Sequence, residues 1–426
     1  MDITLKKGQI RGTIKVPSSK SQTIRALLVA TFAQGNSIIH NPLYSSDTLS
    51  CIAGCRALGA VIIESEETLI VQSPIEFPTK VTIDCGNSGT TLYLLSAMVA
   101  SFPIEATFTG DAQLKNRPVR PLLEALISLG VELSYPSNYT KQWYPPFTIK
   151  GPVKGGSVNI TCHTSQHLSG LLLGSILGEG TTEIHVDLLN EKPYVEMTLQ
   201  WIEKQQLSME YNKELTHFVI PGKQSYKPIN VTIGGDYSSA SFFFCAAAVA
   251  RGSIRVTGLL KEDKQGDKEI LSILEQMGCE VVWQEEAVTV SPPQSKELVG
   301  GEFDLNAIPD ALPILAVTAC FVKGTTILGN VPQARIKETD RIESMKVNLE
   351  KLGVKVEDTE DSLIIHGSGS LNGGIVDGFE DHRIIMAMAI ASLNTETPLT
   401  IKGIEAVDVT FPSFFTLLET IKQEIQ

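Results

Sequence analysis

Charge is scarce in this chain, and positive charge is scarcer than negative. Only 19% of the 426 residues are charged, 35 Lys plus Arg against 48 Asp plus Glu, for a net charge of −13. Binders of nucleic acid or anionic membranes carry a dominant basic face, so neither is expected as a partner. The seven cysteines (51, 55, 85, 162, 245, 279 and 320) form no Cys-x-x-Cys pair. Residues Met1 to Lys7 lack the apolar stretch of a secretory signal, and no run reaches the roughly 18 apolar residues of a membrane span. A cytoplasmic protein with reduced thiols is the expectation. There is no Gly-x-x-x-x-Gly-Lys-Ser/Thr phosphate loop, and Gly367-Ser368-Gly369-Ser370 fails the dinucleotide pattern. Cys162, His163 and His167 have helical ligand spacing, but residue 164 is Thr where a zinc protease has Glu, so no metal is expected there. Cys51 with Cys55, and Phe242 to Phe244, read as core packing.

Apolar residues, at 42%, are ample for buried cores, and at about 150 residues per domain the length suggests two or three domains. One kind of segment recurs roughly every 70 residues: a small polar stretch followed by a helix apolar on all sides. The copies begin near Ser21, Thr90, Ser165, Ser238, Asp310 and Asp381, each residue a good N-cap. A helix of this kind belongs inside a domain. An amphipathic helix follows each. Four of these end at Gly59, Gly130, Gly278 and Gly353, residues suited to the left-handed position after a helix. The third runs Val195 to Gln206 without such a Gly, and the sixth runs near Phe414 to Ile425. Strand-like runs lie between and after the helices, so the repeated unit is β-α-β-α-β-β. Six units form two domains of three: residues 19–234, and 1–18 with 235–426, hinged near 18–19 and 234–235.

The residues able to do chemistry gather at helix starts. Lys20, Ser21 and Arg25, then Asn87, Gly89 and Thr90, then Thr164, Ser165 and Gln166 open the first three buried helices. Asp236 with Ser238, Asp310, and His382 with Arg383 open the others. A helix N-terminus offers free N–H groups and a positive dipole end to an anion. Lys115-Asn116-Arg117-Pro118 and Arg335-Ile336-Lys337-Glu338-Thr339-Asp340-Arg341 precede two amphipathic helices, with Asp340 as an N-cap. Cations gathered locally in an acidic chain suit small phosphorylated or carboxylated metabolites. Asp310, Glu338 and Lys20 stand among them as proton-transfer groups.

Several of these runs resemble the 5-enolpyruvylshikimate-3-phosphate synthase family. They include Pro17-Ser18-Ser19-Lys20-Ser21 with Arg25, Gly86-Asn87-Ser88-Gly89-Thr90-Thr91, and Thr109-Gly110-Asp111 with Arg117-Pro118. Ser165-Gln166, Lys192-Pro193-Tyr194, Ile308-Pro309-Asp310, Lys337-Glu338-Thr339-Asp340-Arg341 and Asp381-His382-Arg383 continue the match in order. The resemblance implies an α/β fold of two domains, each of three βαβαββ repeats in an inside-out α/β barrel, with the first strand crossing into the C-terminal domain and the active site in the interdomain cleft. It implies transfer of the enolpyruvyl group from phosphoenolpyruvate to the 5-hydroxyl of shikimate 3-phosphate, by a cytoplasmic monomer needing no cofactor and no metal.

On the same resemblance, Lys20, Ser21, Arg25, Thr164, Ser165, Gln166, Tyr194, Asp310 and Lys337 hold shikimate 3-phosphate. Lys20, Asn87, Gly89, Arg117, Gln166, Arg341 and Arg383 hold phosphoenolpyruvate. Asp310 takes the proton of the attacking hydroxyl, and Glu338 with Lys20 delivers one to the methylene carbon. Three positions depart from the family: Tyr93 where Arg is common, Val409 where Lys is common, and Glu191 where a phosphate-binding Ser is usual. Gly89 keeps the room that admits glyphosate, so sensitivity is expected. The sister enzyme acting on UDP-N-acetylglucosamine typically has Lys-Asn at Lys20-Ser21 and a loop Cys near Arg117, where this chain has none. A non-catalytic phosphometabolite binder is the third reading, encouraged by the three departures.

Overall fold

A computed structural model describes residues 1–137, 139–295 and 297–423. Its α-helices run in the order α1 (Lys20–Phe32), α2 (Ser46–Ala57), α3 (Gly89–Val99), α4 (Arg120–Ser128), α5 (Ser165–Ser175), α6 (Lys192–Lys204), α7 (Tyr237–Val249), α8 (Glu269–Gln276), α9 (Leu312–Cys320), α10 (Arg341–Lys351), α11 (His382–Ala391) and α12 (Phe414–Ile421). The odd-numbered helices are the all-apolar ones, and α3, α7, α9 and α11 bury every residue. The even-numbered helices bury one face. The end proposed for the last helix at Ile425 lies outside the described residues; α12 stops at Ile421.

Side-chain caps set the starts of five buried helices. Ser19, Ser88, Thr164, Asp236 and Asp381 accept hydrogen bonds from the backbone N–H of Gln22, Thr91, Gln166, Ser239 and Arg383 respectively. Four of these caps stand one or two residues before the expected Ser21, Thr90, Ser165 and Ser238, which fall inside the helices, whereas Asp381 is the cap expected. α9 has no such cap. Pro309–Ala311 forms a 3-10 turn before it, and Ala311 stands at its N-cap with no side-chain bond. Asp310 therefore does not cap this helix, and its carboxylate is available for other partners. Pro313 explains the difference, because a first-turn proline needs no N–H partner there.

In the second, third, fifth and sixth repeats the strand before the buried helix pairs parallel with the strand after it. That second strand pairs antiparallel with the last strand of the repeat. Lys80–Asp84 with Glu105–Thr109 and Gly156–Cys162 with Thr182–Leu189 are such parallel pairs, extended antiparallel by Phe147–Lys150 and His217–Ile220. The first repeat takes its parallel strand from Asn230–Thr232, beside Asn36–His40. The fourth takes Gly12–Lys15, beside Ile254–Thr257. In the sixth, Asp2–Leu5 takes the antiparallel place against Leu399–Lys402, and Lys422–Gln423, after α12, pairs with Gln9–Ile10. By contact density the chain forms one unit of Met1–Pro17 with Gly234–Gln426 and another of Ser18–Ile233. Each has its own continuous apolar core built on its three buried helices. In the second unit α3 and α5 touch backbone to backbone: a Cβ on Gly174 would lie 2.3 Å from the Ala97 carbonyl oxygen. Among the described residues no helix is long and apolar enough to cross a membrane.

Gly59, Gly130, Gly278 and Gly353 adopt the left-handed conformation just past α2, α4, α8 and α10, with φ of 98°, 96°, 96° and 87°. After α6 the equivalent role falls to Gln206, with φ of 56°. A side chain in that conformation costs roughly 1–2 kcal/mol, partly offset by the lower unfolded-state entropy of a non-Gly residue. Gln206→Gly is expected to stabilise the protein by about 0.5–1 kcal/mol, a rise in Tm of roughly 2 °C. Calorimetry showing no rise, or a fall, would contradict this.

Candidate active site

Within the unit of Ser18–Ile233, the helix starts carry three small constellations. At α1, Lys20 Nζ lies 3.0 Å from Asp47 Oδ2, in the first turn of α2. Arg25 is buried one turn further on. It donates to Thr198 Oγ1 (2.9 Å) and to the carbonyls of Ser21 (3.1 Å) and Tyr194 (3.2 Å), tying α1 to α6 through neutral oxygens. At α3, Asn87 Oδ1 accepts from Arg117 Nη2 (3.1 Å) while its amide donates to Asp111 and Gln113. Gly89 lies directly under this guanidinium, since a Cβ there would sit 2.7 Å from Arg117 Nη1. Tyr93 occupies the next turn, buried, its hydroxyl donating to the Pro118 carbonyl (3.3 Å) and its ring edge-on to His167. Burial pushes the His167 pKa down to about 4, so that ring is neutral near pH 7.

The third constellation is already occupied. Glu191, 2% exposed and with φ of 58°, turns its carboxylate onto the start of α5. Oε2 accepts from the Thr164 hydroxyl (3.1 Å), the Ser165 backbone N–H (3.1 Å) and the Ser165 hydroxyl (2.8 Å). The chain's own carboxylate thus satisfies the anion-seeking end of this helix. Gln166, next to Ser165, leaves Oε1 buried without a hydrogen-bond partner. A buried acceptor of this kind calls for a donor.

In the other unit the candidate residues form one ionic cluster. Arg341, at the first turn of α10 and 1% exposed, places a single guanidinium among three carboxylates. Nε donates to Asp381 Oδ2 (2.8 Å), Nη1 to Asp310 Oδ1 (2.7 Å) and Nη2 to Glu338 Oε2 (2.6 Å). Asp310 also meets Arg383 Nη2 at 2.9 Å and Lys337 Nζ at 3.8 Å. Arg383 Nη1 donates to Ser238 Oγ (2.6 Å), so the starts of α7 and α11 and the turn before α9 converge on one point. Lys337, Arg341 and Arg383 are thereby matched by Asp310, Glu338 and Asp381. The cluster therefore balances its cations, with Asp310 and Glu338 among them as the sequence suggests and Asp381 as a further carboxylate.

The protons follow from this geometry. Burial alone would raise the Asp310 pKa, but Arg383, Lys337 and Arg341 outweigh it and hold the carboxyl far below the usual carboxylate range. At Asp381 burial dominates. Arg341 pulls the pKa down and Glu338 pushes it up, leaving it raised. Burial would lower the Arg341 pKa, but Asp381, Glu338 and Asp310 raise it, so it stays charged. Arg335, from the same run, bonds instead to Asp340 and Asp358 (both 2.8 Å), and Asp340 caps α10. Val409 ends a 3-10 turn, Ile404–Val409.

Sequence reasoning did not single out Asp47 as the partner of Lys20, Asp381 as the clamp on Arg341, or Ser238 as the partner of Arg383. Asp47 is 27 positions from Lys20 and Asp381 is 40 from Arg341. Only the resemblance of the repeats hinted that such starts converge. Cys162, His163 and His167 do not converge as metal ligands; among the described residues the one such grouping lies elsewhere.

Fold and site together define an α/β repeat protein whose helix starts carry paired cations and carboxylates suited to small anionic substrates. The family model described as EPSP synthase (3-phosphoshikimate 1-carboxyvinyltransferase) matches residues 5–418, and the chain belongs to this family. A 3-phosphoshikimate 1-carboxyvinyltransferase of Acetivibrio thermocellus is 44% identical over 429 residues, covering 100% of this chain and 99% of that protein. One from Ruminiclostridium cellulolyticum is 42% identical over 424 residues, covering 99% and 98%. The solved EPSP synthase of Acinetobacter baumannii has the same fold, with a TM-score of 0.83 at 24% identity, covering 100% of this chain and 99% of that one.

Removing one partner of a buried ion pair typically costs about 3–5 kcal/mol. Asp381→Asn, which leaves Arg341 under-compensated, is expected to lower the Tm by roughly 6–10 °C. An unchanged Tm by calorimetry would show that Asp381 is not what holds Arg341.

Proposed function

We propose that this protein transfers the enolpyruvyl group of phosphoenolpyruvate to the 5-hydroxyl of shikimate 3-phosphate and releases phosphate. The observation that carries the reading is Asp310, a carboxylate bound by Arg341, Arg383 and Lys337 at once. Full-length family membership names the substrates to test. The reading treats residues 19–234 as one domain and 1–18 with 235–426 as the other, hinged near 18–19 and 234–235. The protein acts as a cytoplasmic monomer whose partners are these two metabolites and no nucleic acid or membrane.

Lys20, Ser21, Arg25, Thr164, Ser165, Gln166, Tyr194, Asp310 and Lys337 hold shikimate 3-phosphate. Lys20, Asn87, Gly89, Arg117, Gln166, Arg341 and Arg383 hold phosphoenolpyruvate. Asp310 at rest is a weak base, because three cations stabilise its ionised form. Anionic substrates draw those cations to themselves, and the proton affinity of Asp310 rises when a base is needed. The 5-oxygen, losing its proton to Asp310, bonds to C2 of phosphoenolpyruvate. The methylene carbon gains a proton from Glu338 with Lys20 and becomes a methyl group. Loss of phosphate from the tetrahedral adduct, with return of a proton from that methyl, leaves the enol ether. Once drawn to the substrates the cations are held there through the chemical steps, so charge that develops meets preset partners. The unpartnered Gln166 Oε1 is suited to a substrate hydroxyl.

Phosphate release from phosphoenolpyruvate is expected with shikimate 3-phosphate as acceptor and absent with UDP-N-acetylglucosamine. Asp310→Asn should reduce kcat about 10²- to 10⁴-fold. Release with the nucleotide sugar alone would assign the sister activity, and release with neither acceptor would make the protein a binder. Glu191 refines the reading, since its carboxylate competes with a substrate phosphate for the α5 start. Glu191→Ser is expected to lower the KM for shikimate 3-phosphate about tenfold, roughly 1.4 kcal/mol, with kcat nearly unchanged. An unaltered KM would mean that the phosphate does not use this position.

A further inference from the structure

Away from these helix starts, the sheet of the Ser18–Ile233 unit carries a second grouping of ligand-type side chains. Glu183 and His185 alternate on the partly exposed face of strand Thr182–Leu189, while Ile184 and Val186 point into the core. His217 stands directly opposite His185 on the antiparallel strand His217–Ile220. The two imidazole rings lie 4.8 Å apart at 34°. Glu183 Oε1 sits 2.8 Å from His217 Nε2 and 3.5 Å from His185 Nε2. One ligand atom from each residue thus falls within 4.8 Å of the others. Ser157 is the register partner of Glu183 on the neighbouring parallel strand and flanks its carboxylate.

We propose that Glu183, His185 and His217 form a binding site for a divalent transition-metal ion of the zinc class. A tetrahedral ion about 2.0–2.1 Å from each donor would place the donors roughly 3.3–3.5 Å apart, so the 2.8 Å Glu183–His217 contact opens and the donors, now within 4.8 Å of one another, draw in around the ion. Two imidazoles and one carboxylate select Zn²⁺, Ni²⁺ or Cu²⁺ over Mg²⁺ and Ca²⁺, which prefer all-oxygen shells. Two of the ligands come from adjacent positions on paired strands, so backbone hydrogen bonding fixes their spacing before an ion arrives. All three side chains are about 40% exposed, which leaves an entry path and room for water in the remaining coordination position. In a chain of net charge −13 the surrounding field favours cations. The ion would bridge two strands that are far apart in sequence, stabilising the sheet without joining the chemistry proposed above.

The test uses the full chain, stripped with a chelator and titrated with Zn²⁺ by calorimetry at pH 7.5. Wild type is expected to bind one ion more per chain than His185→Asn/His217→Asn, and only wild type should gain a few degrees of Tm with zinc. Cu²⁺ bound to wild type should show two nitrogen ligands by electron paramagnetic resonance, and none of that signal in the double variant. Glu183→Gln, which keeps both imidazoles, should weaken zinc binding about tenfold and guards against misfolding of the double variant. Phosphate-release activity should be unchanged in every variant, since none of the three residues is placed in the active site. Equal zinc stoichiometry and affinity in wild type and the variants would overturn the proposal, as would a copper signal without two nitrogens.

Discussion

A helix that is apolar on every side must be enclosed on every side, and one repeat of this chain has too little material to enclose its own. Burial of the odd-numbered helices is therefore the constraint on which the rest depends. It requires three repeats to share each core and draws α3 and α5 into contact through Gly174. It is consistent with the borrowed strands, since a repeat short of a strand would leave part of its buried helix uncovered. Gly12–Lys15 and Asp2–Leu5 supply that cover in the unit of Gly234–Gln426. The polar residues of the helix starts cannot follow the apolar bodies inward. They emerge at common points, as the bonds joining Ser238, Arg383 and Asp310 make visible.

Crowding charged groups at such a point is costly unless they compensate one another. The cluster around Arg341 does this with three cations and three carboxylates, and the distribution of protons records the outcome. Asp310 has three cations and is held low, whereas Asp381 depends on Arg341 and is dominated by its burial. Two carboxylates that touch the same guanidinium therefore end on opposite sides of their ordinary range. Such divergence is the usual basis for dividing acid and base work between similar groups.

The start of α5 illustrates the same economy with a different solution. Thr164 and Ser165 offer three donors to an anion, and Glu191 supplies one from within the chain. A residue that looks misplaced beside a phosphate in the linear sequence is well placed in the folded protein without one. Its carboxylate keeps the helix end satisfied and sets the affinity that any competing anion must exceed.

Much of this was legible in the residues themselves. Local patterns determined the helices, the cap at Asp381, and the left-handed glycines at 59, 130, 278 and 353, because these depend on neighbours a few positions away. Periodicity of the apolar segments likewise determined the six repeats. The fifth helix start departed from the pattern because Pro309 and Pro313 reshaped the turn, freeing Asp310 from a capping role. The tertiary structure alone decided which charged and polar groups meet: Lys20 with Asp47, Arg341 with Asp381, Glu191 with Ser165, and Glu183 with two histidines. The reason is physical. Hydrophobic periodicity is written along the chain, whereas ionic pairing depends on distances that exist only once the repeats are packed.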